Sequence, residues 1–194
     1  MTPGGEWAVA TAEDLTLKVW DLETGRALRT LEGHSGSVEG VAVTPDGKRA
    51  VSASWDQTLK VWDLDTGRLL RTLEGHAGYV SGVAVTPDGK RAVSASRDRT
   101  LKVWDLDIGR ALRTLEGHSD SVSGVAVTPD GKRAVSASDD KTLKVWDLDT
   151  GGVIATFHCD APAYCCAFAD QHRIVAGDDG GRLYILSLEE PHAR

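Results

Sequence analysis

The dipeptide Trp-Asp returns every 42 residues, at Trp20-Asp21, Trp62-Asp63, Trp104-Asp105 and Trp146-Asp147. Gly-His keeps the same step, at Gly33-His34, Gly75-His76 and Gly117-His118. Between them the segment "GVAVTPDGKRAVSAS" is repeated unchanged from Gly40, Gly82 and Gly124. A chain this self-similar solves one folding problem several times over. Each unit is too small to bury its own apolar face, so neighbouring units must cover one another. The period therefore dictates an array of like units, each packed on the next.

Within one period the pattern reads as four strands. "SVEGVAV" is apolar and β-branched and stops at "TPDG", where Pro fixes φ and Gly takes the strained turn position. "RAVSAS" alternates large and small residues, as a strand between two neighbours should. "WDQT" turns the chain into "TLKVWDL", where Leu59 and Val61 alternate with Lys60 and Trp62 at period two. "DTG" turns it again into "RLLRTLEGH", the fourth and outermost strand. No segment carries helical periodicity with caps.

A step of 42 residues marked by Gly-His and Trp-Asp resembles the WD-repeat β-propeller family over nearly the whole chain. The resemblance implies an all-β propeller of four-stranded antiparallel blades and a non-catalytic platform that binds proteins or peptides. The expectation is one domain over 1–194, in units of about 1–33 (incomplete), 34–75, 76–117, 118–159 and 160–194 (a degenerate cap). The last segment, "YCCAFADQHRIVAGDDGGRLYILSLEE", is similar to the final blade of propellers attached to bacterial signalling NTPases. That similarity implies a sensor part of a larger signalling protein.

Each complete unit offers the same polar set: His34, Ser52, Asp56 and Trp62; His76, Ser94, Asp98 and Trp104; His118, Ser136, Asp140 and Trp146. Ser, His and Asp are the members of a nucleophilic triad. Three equal copies argue instead for architecture, because nothing singles out one serine, and an indole N–H has no part in that chemistry. A buried indole does need an acceptor. The set is therefore expected to be a hydrogen-bonded network inside each blade, as in the family it resembles, and no enzyme is expected. Either serine of the pair Ser52 and Ser54, or its equivalents, could be the member. Asp beside His is expected to raise the His pKa.

The copies differ in two places. After Gly-His stand Ser35-Gly36-Ser37-Val38-Glu39, Ala77-Gly78-Tyr79-Val80-Ser81 and Ser119-Asp120-Ser121-Val122-Ser123. Before the third strand stand Trp55-Asp56-Gln57, Arg97-Asp98-Arg99 and Asp139-Asp140-Lys141. In a four-stranded blade both turns lie at one end, and the unvarying "TPDG" turns at the other. The expected binding face is Glu39, Trp55, Tyr79, Arg97, Arg99, Asp120, Asp139 and Lys141. Trp, Tyr and Arg are the types that dominate interface energies.

The net charge of −7 and the lack of a dominant basic cluster argue against nucleic acid as a partner. No apolar run approaches the ~18 residues of a membrane helix, and the start lacks a signal-peptide pattern. Cys159, Cys165 and Cys166 fit neither a disulfide framework nor a zinc site, and read as small buried hydrophobes of a cytoplasmic protein. The acidic stretches at Ser138 and Asp178 lack calcium-loop spacing, and no phosphate-cradling glycine loop is present, so neither metal nor cofactor is expected.

The ends depart from the pattern. Ala10 and Ala12 replace the two serines of the first unit, and Cys159-Asp160 and Leu186-Ser187 replace Gly-His and Trp-Asp in the last. The expected strands form an incomplete ring of about five blade units. Three routes are open: a truncated product, a homo-oligomer completing a ring, or a small strained ring. The first two are preferred.

Overall fold

The computed structural model describes residue 2 and residues 4–189; residues 1, 3 and 190–194 of the two end units lie outside the described residues. The chain is all-β, without a helix among the described residues. Its strands form five antiparallel sheets that follow one another along the chain.

Sheet one is β1 (Trp7–Thr11), β2 (Leu17–Asp21) and β3 (Ala27–Leu31). Sheet two is β4 (Val38–Val43), β5 (Arg49–Ser54), β6 (Leu59–Asp63) and β7 (Leu69–Leu73). Sheet three is β8 (Val80–Val85), β9 (Arg91–Ser96), β10 (Leu101–Asp105) and β11 (Arg110–Leu115). Sheet four is β12 (Val122–Val127), β13 (Arg133–Ser138), β14 (Thr142–Asp147) and β15 (Val153–His158). Sheet five is β16 (Ala163–Phe168), β17 (Arg173–Asp178) and β18 (Leu183–Ser187). In each sheet the strands pair in chain order.

Local chemistry explains the repeated hairpins. In "TPDG" the Thr44 hydroxyl donates to Asp46 Oδ1 and accepts from the Arg49 N–H at 3.0 Å, while Gly47 takes φ 72°. The pairing of β4 with β5 slips between Val38 and Gly40, a bulge repeated between Val80 and Gly82, Val122 and Gly124, and Ala163 and Cys165. A bulge bends the strand and re-aims its side chains. Here it puts glycine where inner strands come closest: a Cβ on Gly40 would lie 3.4 Å from the Gly82 Cα, and one on Gly124 2.9 Å from the Tyr164 carbonyl oxygen.

The core lies between sheets. Leu17, Val19 and Leu31 pack against Val38, Ala50, Trp62 and Leu64 of sheet two. The next two interfaces repeat that contact with Trp104 and Leu106, then with Trp146 and Leu148. The fourth interface has Leu186 where the others have tryptophan, by the strand register. Beside it lies a half-open cavity of about 210 Å³ lined by Leu143, Val145, Phe157, Ile174, Leu186 and Leu188.

One expectation is corrected. Cys159 is buried and Cys166 largely so, but Cys165 is exposed. It occupies the register position of Gly124 on β16, whose outward face no further inner strand covers among the described residues.

Candidate functional site

Each of the three complete blades contains one continuous chain of hydrogen bonds. In sheet two the Trp62 indole N–H donates to Ser52 Oγ at 2.9 Å. Ser52 Oγ lies 2.7 Å from His34 Nε2, and His34 Nδ1 lies 2.7 Å from Asp56 Oδ2. The other two copies, Trp104–Ser94–His76–Asp98 and Trp146–Ser136–His118–Asp140, repeat these contacts at 2.7 to 2.8 Å. The donor inventory fixes the directions. The indole only donates, so the serine hydroxyl proton is free for Nε2, and Nδ1–H faces the carboxylate.

The ambiguous serine is thereby assigned. Ser52 joins the network, while the Ser54 hydroxyl donates to the Gly36 carbonyl and accepts the Asp56 N–H. Sequence reasoning missed two further members. The Thr58 hydroxyl donates to Asp56 Oδ1 at 2.7 Å, and the Ser35 backbone N–H donates to Asp56 Oδ2. The signal for the threonine was present in each copy as Asp-x-Thr, at Asp56, Asp98 and Asp140.

The distances are those of a Ser-His-Asp triad, but Ser52, Ser94 and Ser136 are wholly buried and their oxygens already hold an indole N–H. No substrate carbonyl can reach them, and the arrangement braces the loops instead.

The charge state differs from the sequence expectation. Burial depresses His34 and His118 below the ordinary histidine range, and it outweighs the raising effect of Asp56 and Asp140. A desolvated imidazolium costs more than one carboxylate returns here, so these rings are neutral. Burial is also the largest single influence on the aspartates, and it pushes them up. For Asp56 the Thr58 hydroxyl, the His34 ring and the Ser35 N–H together outweigh it and hold the carboxyl low. Asp140 is lowered to about 2 by the equivalent donors, and Asp98 is also held well below the usual range.

Sheet five has lost the network. By register Ala176 stands for the serine and Leu186 for the tryptophan, and Asp160 takes the histidine's place. A different link replaces it: the Tyr184 hydroxyl donates to Asp178 Oδ2 at 2.7 Å and accepts the Asp160 N–H at 3.2 Å.

The two variable turns meet in every complete blade because their backbones are joined. The N–H of Trp55 donates to the Ser37 carbonyl, that of Arg97 to Tyr79, and that of Asp139 to Ser121, each at 2.9 Å. The residues after the anchoring aspartates, Gln57, Arg99 and Lys141, take φ of 64° to 71°, a region side-chain-bearing residues seldom visit.

Three of the expected face residues come together across two blades. Trp55 of sheet two's turn stacks on Tyr79 with ring centroids 5.1 Å apart and planes 7° from parallel. The Arg97 guanidinium lies 5.6 Å from the Trp55 centroid and 5.7 Å from that of Tyr79. All three side chains are exposed. The other candidates stand apart from this cluster. Asp139 is half-buried and accepts the Ser123 hydroxyl at 3.0 Å. Asp120 accepts the N–H of its neighbour Ser121. Glu39, Arg99 and Lys141 are exposed.

The opposite end is uniform for a reason the sequence did not show. Arg49 Nη1 lies 2.9 Å from Asp107 Oδ1 in the next sheet, while Nη2 donates to the Gly89 carbonyl. Arg91 repeats both contacts with Asp149 and Gly131. The unvarying "DGKR" is thus a clamp between sheets as well as a turn.

Known proteins match segment by segment. Residues 25–63 and 67–105 each match the family described as WD domain, G-beta repeat. Residues 118–188 match the TEP-1 C-terminal beta-propeller family. Pre-mRNA-splicing factor PRP46 of Saccharomyces cerevisiae is 49% identical over 39 residues, 20% of this chain and 9% of the length of that relative. The 42-residue step, the chain-ordered sheets and these matches agree: two stretches of this chain are similar to WD repeats and a third to the TEP-1 C-terminal propeller.

Proposed function

We propose that the protein is a scaffold that binds a protein or peptide partner through the end of the sheets carrying Trp55, Tyr79 and Arg97. WD repeats ordinarily serve protein interaction. The observation that carries the reading for this chain is the exposed Trp55–Tyr79 stack with Arg97 across it. Two rings and a guanidinium held against one another lose little further freedom when a partner covers them. A cation at such a ring contributes about 0.5–1 kcal/mol while exposed and more once water is excluded. The backbone bonds that join the turns keep the platform rigid, which is how loops on a firm scaffold commonly bind.

Selection from a displayed peptide library tests it. The wild-type chain is expected to enrich binders that a Trp55→Ala/Arg97→Ala variant no longer retains, while Lys90→Ala at the opposite end retains them. Binders held equally by the double variant would sink the reading.

A further inference from the structure

Each end of the array leaves uncovered the Trp-Asp-strand positions that the chain buries at its internal junctions. At each complete internal junction one sheet offers a pair of aliphatic side chains from its Trp-Asp strand: Leu17 and Val19, Leu59 and Val61, or Leu101 and Val103. The next sheet answers with Trp62 and Leu64, Trp104 and Leu106, or Trp146 and Leu148.

One step of 42 residues before Trp62 and Leu64 stand Trp20 and Leu22 of sheet one. At the other end the register puts Leu183 and Ile185 of sheet five in the places held by Leu143 and Val145 in sheet four. Inside the array these positions are closed: Trp62 is 1% exposed, Leu64 0%, Leu143 2% and Val145 4%. At the ends Trp20 is 37% exposed, Leu22 44%, Leu183 69% and Ile185 70%. The residue types are alike, and what differs is the cover. The two ends of one copy leave each other uncovered.

Charge follows the same register. Inside the chain Arg49 reaches Asp107 and Arg91 reaches Asp149, each the acidic residue three after a tryptophan of the next sheet. The arginine in that position on sheet five is Arg173, and the acidic residue in that position on sheet one is Glu23. Both are exposed.

We propose that copies of this chain associate head to tail, with sheet five of one covering sheet one of the next. The occupant is a second copy because a single chain holds both halves, with apolar and charged positions in matching register. The contact is heterologous, so it joins unlike patches and propagates until a ring closes. It uses none of the residues of the Trp55 platform.

Light scattering on the purified 194-residue chain over a dilution series tests this. Wild-type mass is expected to rise above that of one copy as concentration rises. Ile185→Asp and Leu22→Asp, each at an exposed position, are each expected to remain single. Mixed in equal amounts, they are expected to form a one-to-one pair, because the intact sheet one of the first meets the intact sheet five of the second. That recovery also shows that both variants are folded. In a second arm, Arg173→Glu is expected to weaken association several-fold, and adding Glu23→Arg in the same chain to restore it. A wild type that stays single, a mixture that stays single, or a Leu22→Asp chain that associates like the wild type would overturn the proposal. A charge pair that shows no rescue would overturn it too.

Discussion

Ser94 accepts an indole proton and gives its own to an imidazole, so two buried side chains depend on one hydroxyl. Removing it strands Trp104 Nε1–H and leaves His76 without its donor. His76→Ala takes from the Ser94 hydroxyl its acceptor and from the Asp98 carboxylate one donor, leaving Asp98 those of Ala77 and Thr100. Each substitution is expected to cost on the order of 1–3 kcal/mol in chemical denaturation, the penalty for an unsatisfied buried polar group. The two are expected to fall well short of additivity in a double-mutant cycle, because either one already breaks the chain. Additive losses would show that the bonds act independently. Much of this network was legible in the sequence, since a polar set kept at fixed spacing beside a buried indole must bond within its own blade. The choice of serine was not, because Ser52 and Ser54 are two apart and share one face of β5. The histidine charge was misjudged because sequence names the carboxylate beside the ring but not the burial that outweighs it.

Strand boundaries follow from period-two alternation and turn chemistry, and both are local properties. The bulges are not local, because a register slip depends on what the partner strand brings opposite. Their consequence is sharpest in β12. A Cβ on Gly124 would lie 2.9 Å from a backbone oxygen of Tyr164, whereas one on Gly82 would meet nothing nearer than 3.7 Å. Gly124→Ala is therefore expected to lower the thermal midpoint by an overpacking cost of about 1–3 kcal/mol, with Gly82→Ala near neutral. Equal effects from both would count against that close approach. The "DGKR" turns teach a related lesson. In the sequence their sameness contrasts with the drift at the other end; in the structure, Arg49 and Arg91 clamp the neighbouring sheet. Inter-sheet contacts of that kind leave no trace in the spacing of a single unit.

An array of nearest-neighbour contacts does not have one stability throughout. Sheet five has neither the tetrad nor the interface tryptophan, and a cavity opens beneath Leu186. Its strands β17 and β18 are expected to exchange amide hydrogens at least about tenfold faster than β9 and β10, equivalent to ~1.4 kcal/mol in local opening. Uniform protection would show that the missing network carries little weight. The weak cap was visible in the sequence as lost motifs, but the cavity beside Leu186 was not. The alternation in the variable turn carries a last consequence. Asp56 and Thr58, and their counterparts, are tied down, while the residues between and before them, all exposed but the half-buried Asp139, sit on a backbone whose shape the ties already set. Those places hold Trp and Gln, then Arg and Arg, then Asp and Lys, on one unchanged loop. Display and frame are thus separable: single substitutions can change what each blade shows, within the residue types that the positive φ at Gln57, Arg99 and Lys141 admits.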